Sequence, residues 1–425
     1  MQGYLQYNRE QLNLEYKKVK AQYEACKMQE LKLNIARGKP SKQQLDAVSD
    51  MLSVIQSADE CIFDDIDTRN YGELSGLSCA RAYWADILGC KAEQTFVGGS
   101  SSLNLMFDTI SRAYTHGLLH SVRPWSQEEK IKFLCPSPGY DRHFRVTEFF
   151  GAELISVPMT ADGPDMDIVE QLVCDPAVKG IWCVPKYSNP DGIIYSDETV
   201  RRFAALKPAA PDFMIMWDNA YCVHEFEGSY VPFPDLISLC EAQGSADMVY
   251  EFASTSKITF SGGGISVMAS SKANIDYFTK LFSVQMISYD KVNQLRHVLY
   301  LKDKAHTIEI MKRHAAIMKP KFVAVSDALE REIKPLGFAN WNRPSGGYFV
   351  SLNTLPGTAK RALELSADAG LVMTPAGATF PYGIDPNDSN IRIAPSFPPI
   401  SELEQAMVVF CICLKLAALE KLLAE

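Results

Sequence analysis

The chain has 425 residues, 47% of them apolar, which is enough for two ordinary domain cores and excludes a disordered protein. Its formal charge of −9 opposes a nucleic-acid partner, whose phosphate backbone needs a basic face. Eleven cysteines without CxxC pairs and seven histidines without an HExxH motif exclude an evident disulfide framework or metal site.

Taken in chain order, the polar start lacks the apolar stretch of a signal peptide. Residues 8–33, rich in Glu, Lys, Gln and Leu, predict an opening helix, which Ala36-Arg37-Gly38-Lys39-Pro40-Ser41 then breaks as a loop. Buried strands are predicted at Ile131–Cys135, Leu154–Val157, Gly180–Val184, Phe213–Trp217, Met248–Phe252 and Ile265–Ala269. Helices such as Met166–Val173 and Asp197–Leu206 fall between them. This alternation predicts an α/β fold with a mostly parallel, doubly wound sheet. After about Tyr300 the pattern changes to a long helix, Gly347–Leu352, Ile391-Arg392-Ile393 and a final amphipathic helix, a smaller α+β unit. The expected division is an N-terminal arm and part of the small domain at 1–55, a large domain at 56–305 and the rest of the small domain at 306–425. The longest apolar run, Ala406–Leu414, is about half of a membrane span, so a soluble cytoplasmic protein is expected. Cys411 and Cys413 in that run read as helix core.

Ligands of open α/β sheets bind at the carboxyl edge of the strands, so the loops after the strands carry the candidates. Lys257 follows one such strand and precedes Ser261-Gly262-Gly263-Gly264. A lysine against low-dielectric walls has a depressed pKa and is an amine nucleophile toward an aldehyde, although a single loop lysine is more often a solvated one. Asp218 ends the run Phe213–Trp217 and reads either as a helix cap or as the partner of a protonated ring nitrogen, with Tyr221 three residues on. Gly98-Gly99-Ser100-Ser101-Ser102 opens a predicted helix and could cradle a phosphate, though it matches neither GxGxxG nor a P-loop. Arg392, flanked by Ile391 and Ile393, offers a planar fork for a carboxylate or for a structural salt bridge.

In order, the glycine-serine loop, Tyr140, Ser188-Asn189-Pro190-Asp191-Gly192, Asp218-Asn219-Ala220-Tyr221, Ser254-Thr255-Ser256-Lys257 and Ile391-Arg392-Ile393 resemble the fold-type I pyridoxal-phosphate aminotransferases. Each motif is weak alone, but six in the right order, from about residue 30 to the end, are specific. Ala36–Ser41, Arg69–Gly76 and Asp290–His297 are similar to the bacterial aspartate aminotransferases of subgroup Ic. The resemblance implies pyridoxal 5′-phosphate held by the large domain as a Schiff base on Lys257, with Asp218 on the pyridine nitrogen. It implies Asn189 and Tyr221 on the ring oxygen, Tyr140 stacked on the ring, and Gly99, Ser100, Ser101 and Ser254 around the phosphate. Tyr71 would reach the phosphate of the neighbouring subunit in a homodimer with shared sites. Arg392 would clamp the substrate α-carboxylate, beside Asn189, and Gly38 would lie in a loop covering the substrate. The family's arginine eight residues after the lysine is Ile265 here, so another basic residue or the N–H groups of the glycine run must meet the phosphate.

The implied reaction is a ping-pong exchange between an amino acid and a 2-oxo acid, with L-aspartate and 2-oxoglutarate expected. A second, distal carboxylate needs a second cation, for which Arg142, Arg37 and Arg296 are candidates, Arg142 favoured by its place next to Tyr140. Alternatives are another substrate (alanine, an aromatic amino acid or 2-aminoadipate) or a decarboxylase or carbon–sulfur lyase on the same scaffold. A transcription regulator would need a DNA-binding module ahead of the catalytic part, where one helix is predicted.

Overall fold

The computed structural model describes residues 3–425. The opening helix, α1 (Arg9–Lys27), starts at a reciprocal cap: Asn8 accepts from the Gln11 backbone while the Gln11 side chain accepts from the Asn8 N–H. It buries Leu12, Val19, Tyr23 and Cys26.

Eight strands form the central sheet: β1 (Thr95–Gly98), β2 (Lys132–Ser137), β3 (Glu153–Thr160), β4 (Gly163–Pro164), β5 (Val178–Cys183), β6 (Met214–Asp218), β7 (Val249–Ser254) and β8 (Ser266–Ser270). Their spatial order is β1-β8-β7-β6-β5-β2-β3-β4. The run from β7 through β3 is parallel, and β8 runs antiparallel to both its neighbours. Every residue of β5 and β6 is buried, as expected for strands covered on both faces. Their side chains alternate between two cores: Ile181, Ile215 and Trp217 face one, Trp182, Met214 and Met216 the other. Each such side chain contributes about 1.5–3 kcal/mol by leaving water. α2 (Ser102–Thr115) follows β1 and α3 (Asp141–Phe149) follows β2, so both begin at the carboxyl edge. All six sequence-predicted strands are present. β1 and the two-residue β4 were not among them.

The remaining core joins the chain's two ends. α4 (Lys304–Glu332) and α5 (Ile400–Ala424) pack with α1 against β9 (Asn340–Trp341), β10 (Val350–Asn353) and β11 (Asn390–Ile393), an antiparallel sheet. Leu33–Asn34 adds a short parallel pairing with Leu371–Val372, which ties the segment before the Arg37 loop to this unit. The apolar run of α5 is wrapped by protein, with Phe410, Cys411, Cys413 and Leu414 all buried. Among the described residues no helix is long and apolar enough to cross a membrane, no group of residues could hold a metal ion, and all eleven cysteines are unpaired.

Candidate active site

Lys257 closes a short turn, Thr255–Lys257, at the end of β7. Thr255 fixes that turn to the start of β8: its N–H donates to Ile265 O (2.9 Å), and its hydroxyl accepts from the Ile265 N–H (3.0 Å). A side chain on Gly264 would meet that hydroxyl at 2.8 Å, so the glycine run is what lets the turn close. Lys257 Nζ lies 5.0 Å from the centroid of the Tyr221 ring and 5.8 Å from that of Tyr348. Burial lowers the lysine pKa from its ordinary value, partly opposed by Asp218, and so favours the neutral amine. His224 is buried beside it with no partner on either ring nitrogen; burial, then Lys257, holds its imidazole well below the ordinary range. It therefore adds no positive charge next to the amine.

Asp218 ends β6 and is buried. His143 Nε2 donates to its Oδ2 at 2.9 Å, and the imidazole is stacked on Trp182 at 4.4 Å. The other oxygen, Oδ1, is buried without a partner. A buried carboxylate oxygen left unpaired is costly, and it is suited to an N–H from a ring seated over the strand ends. Tyr140, the residue before α3, is half-buried; desolvation and then Asp218 push its hydroxyl up to about 12. Tyr221 is held well above the ordinary tyrosine range by burial, and its ring stacks on Tyr348 at 6.0 Å.

Arg392, on β11, brings the second unit to the sheet edge. Its Nη1 donates to Asp141 Oδ1 (3.0 Å) and Asn189 Oδ1 (3.3 Å), and its Nη2 to Thr374 Oγ1 (3.4 Å). Its guanidinium sits 4.9 Å from the centroid of Phe349. A side chain on Gly38 would strike that same ring at 2.5 Å, so the Arg37 loop closes over the Arg392 side of the site because residue 38 is glycine.

Gly99, Ser100 and Ser101 lead into α2, whose free N–H groups suit an anion. Ser256 Oγ donates to Ser100 O (3.1 Å) and Ser254 Oγ to Ser256 Oγ (3.0 Å), so hydroxyls from the lysine turn meet the glycine-serine loop. Ile265 is buried in the core, and Arg296 stands beside the glycine run, its Nη2 4.0 Å from a Cβ built on Gly263. Tyr71 is 79% exposed on a loop that Lys291 pins by donating to the carbonyls of Asn70 and Gly72. Arg37 is exposed as well. Arg142 lines a groove of about 570 Å³ with Leu103, Asn104, Phe107 and Phe149.

Thus contacts link Tyr140, Asn189, Asp218, Tyr221, Lys257 and Arg392, with Gly99, Ser100, Ser101 and Ser254 at the neighbouring helix start and Gly38 over Arg392. Tyr71 and Arg37 are both exposed, Arg37 on the loop that Gly38 brings over Phe349. The sequence reading missed His143, Asp141, Tyr348 and His224. His143 had a usable signal, three residues after Tyr140, which caps α3, so the two rings lie 4.9 Å apart. Beneath the site, Asn219 Nδ2 donates to Glu251 Oε1 (2.9 Å), and burial pushes the Glu251 carboxyl up to about 8. Raised in the fold and ordinary in the unfolded chain, this group stabilises most below pH ~4.5, and its contribution fades as pH rises through about 8. Glu251→Gln should therefore flatten the loss of unfolding free energy between pH 5 and 9, by up to roughly 4 kcal/mol. Denaturant melts across that range check this, and an unchanged slope would contradict it.

The chain matches the aspartate amino-transferase family model over residues 8–425. It is 45% identical over 414 residues to an aspartate aminotransferase of Corynebacterium glutamicum, covering 97% of this chain and 96% of that one. A crystal structure of an aspartate transaminase from Corynebacterium glutamicum superposes with a TM-score of 0.96 at 44% identity, covering 98% of both chains. The α-aminoadipate aminotransferase LysN of Thermus thermophilus, solved with N-(5′-phosphopyridoxyl)-L-leucine, shares the fold at a TM-score of 0.73 and 19% identity, over 93% of this chain and 95% of that one.

Proposed function

The chain belongs to the aspartate aminotransferase family, and from that premise we propose that it exchanges the amino group of L-aspartate with 2-oxoglutarate, using pyridoxal 5′-phosphate. The observation that carries the cofactor reading is the buried, unpartnered Oδ1 of Asp218 facing the same site as a half-buried, pKa-depressed Lys257. That pair fits a cofactor with a protonated ring nitrogen at one end and an aldehyde at the other. When bound, pyridoxal phosphate supplies the aldehyde that takes the amino group and a ring that delocalises the electrons left at Cα.

The chain's own residues do the rest. Lys257 Nζ would hold the aldehyde carbon and, once the substrate amine displaces it, take the proton from Cα and later return it. Its depressed pKa shifts Nζ toward the neutral amine that can accept a proton. Asp218 Oδ1 would accept from the ring N–H, with His143 fixing the carboxylate through Oδ2. Tyr140 would cover the ring, and Asn189 and Tyr221 would address the ring oxygen. Gly99, Ser100, Ser101 and Ser254 would hold the phosphate, with Arg296 the basic side chain beside the glycine run. Arg392 would take the α-carboxylate, under the Gly38 loop. The amino acid leaves as its 2-oxo acid, and a second 2-oxo acid leaves as an amino acid.

With this reading goes the division into a large domain at 56–305 and a small one from 1–55 and 306–425, supported by the core that α1 shares with α4 and α5. A cytoplasmic setting fits eleven unpaired cysteines. A homodimer with shared sites fits the exposure of Tyr71 on its pinned loop. Tyr71→Phe should weaken cofactor retention by about 1.5–3 kcal/mol, one charge-assisted hydrogen bond, measured by cofactor loss on dilution. A fully active monomer on sizing would rule the shared site out.

The deciding assay mixes the holoprotein with aspartate and 2-oxoglutarate and measures glutamate, with alanine, an aromatic amino acid and 2-aminoadipate as comparisons. Carbon dioxide in place of an oxo acid would turn the reading to a decarboxylase. Neutralising the arginine that reads the distal carboxylate, among Arg142, Arg37 and Arg296, should cut efficiency for aspartate far more than for alanine. If all three single variants keep the parent's preference, that carboxylate is read elsewhere.

A further inference from the structure

A guanidinium binds a carboxylate with two parallel N–H groups, either across its end (Nη1 and Nη2) or along its side (Nε and Nη2). In Arg392 the end is used. Nη1 has two hydrogens and two acceptors, Asp141 Oδ1 at 3.0 Å and Asn189 Oδ1 at 3.3 Å. The side is open: Nε is buried with no partner, and Nη2 has only the long contact to Thr374 Oγ1 at 3.4 Å, while that hydroxyl itself donates to Ala36 O at 2.7 Å. An arginine side chain 8% exposed that leaves one edge unpaired is shaped for a ligand on that edge.

Asp141 is the first residue of α3, directly after Tyr140, whereas Arg392 stands on β11 in the other core. The contact therefore sets the arginine on one unit against the loop that carries Tyr140 on the other. We propose that Asp141 is a positioning residue for the substrate carboxylate: by holding Nη1, it turns the Nε–Nη2 edge of Arg392 toward the incoming carboxylate. This rests on the reading of Arg392 as the carboxylate clamp. Asp141 also carries a negative charge that repels the same ligand, so the two effects compete. Its side chain is 33% exposed, which lets solvent screen the repulsion, while the hydrogen bond to Nη1 is direct. Orientation outweighs repulsion.

The test is equilibrium binding of succinate, a dicarboxylate with no amino group to transfer, to the holoenzyme by calorimetry, alongside steady-state kinetics with aspartate. Asp141→Ala should weaken succinate about ten-fold and raise KM for aspartate with kcat at saturation nearly unchanged. Asp141→Asn, which keeps an oxygen acceptor at the same reach, should restore most of the affinity. A general loss of structure would not give that rescue or that split between KM and kcat. Succinate bound by Asp141→Ala as tightly as by the parent, or more tightly, overturns the proposal, because Asp141 would then be a competitor or a bystander. Asp141→Asn no better than Asp141→Ala overturns it too. Arg392→Ala separates the two readings: if it leaves succinate affinity intact, the clamp itself is misassigned and Asp141 falls with it.

Discussion

Lys257→Ala should lower turnover by at least about ten-thousand-fold, because one amine serves as both cofactor anchor and proton carrier. The groups that surround Nζ offer no second amine: they include the Tyr221 and Tyr348 rings, Asp218 and a His224 held neutral by burial. The variant should still fold. Removing a desolvated amine that makes no salt bridge leaves no carboxylate without a partner, because Asp218 keeps its contact with His143. Borohydride treatment of the parent should fix the cofactor on the single peptide containing Lys257, and the variant should carry no label. A label on another lysine, or a variant with more than about a hundredth of the parent's activity, would remove Lys257 from the role given it here.

Arg392→Ala should cut kcat/KM on the order of a hundred- to a thousand-fold, for aspartate and alanine alike. Both substrates carry the α-carboxylate, so the loss cannot discriminate between them. Two effects add. The substrate loses a bidentate, charge-assisted contact, and Asp141 and Asn189 are left facing a gap where a cation stood. Arg392→Lys keeps the charge but loses the planar fork, and should recover only part of the activity. The visible absorbance of the bound cofactor should not change in either variant. A variant that loses aspartate activity while keeping alanine activity would place Arg392 at the distal carboxylate, reversing its assignment.

Much of this was legible in the sequence, for a physical reason. A parallel sheet buries both faces of its strands, so β5, β6 and β7 are short, mostly apolar runs, and the polar loops after them mark the carboxyl edge. Asp218, Lys257 and Asn189 were readable because each lies at the end of such a run or in the loop after it, and the glycine-serine loop because it opens a helix. The order of those motifs along the chain was enough to name the family.

What the sequence could not carry was anything set by direction across the fold. Arg142 is two residues from Tyr140 in the chain, but residues i and i+2 of a helix face different ways, so its place beside Phe107 and Phe149 in a groove was not legible from that spacing. His143, three residues on, turns inward to Asp218. The Asp141–Arg392 contact spans 251 residues of chain, and Gly38 meets Phe349 across a still longer stretch, so neither leaves a local signal. The sequence determined which residues exist to do the chemistry and on which edge they stand. Only the packing of the chain's two ends against the sheet decided which side chains face one another, since that depends on helix phase and on contacts between segments far apart in the chain.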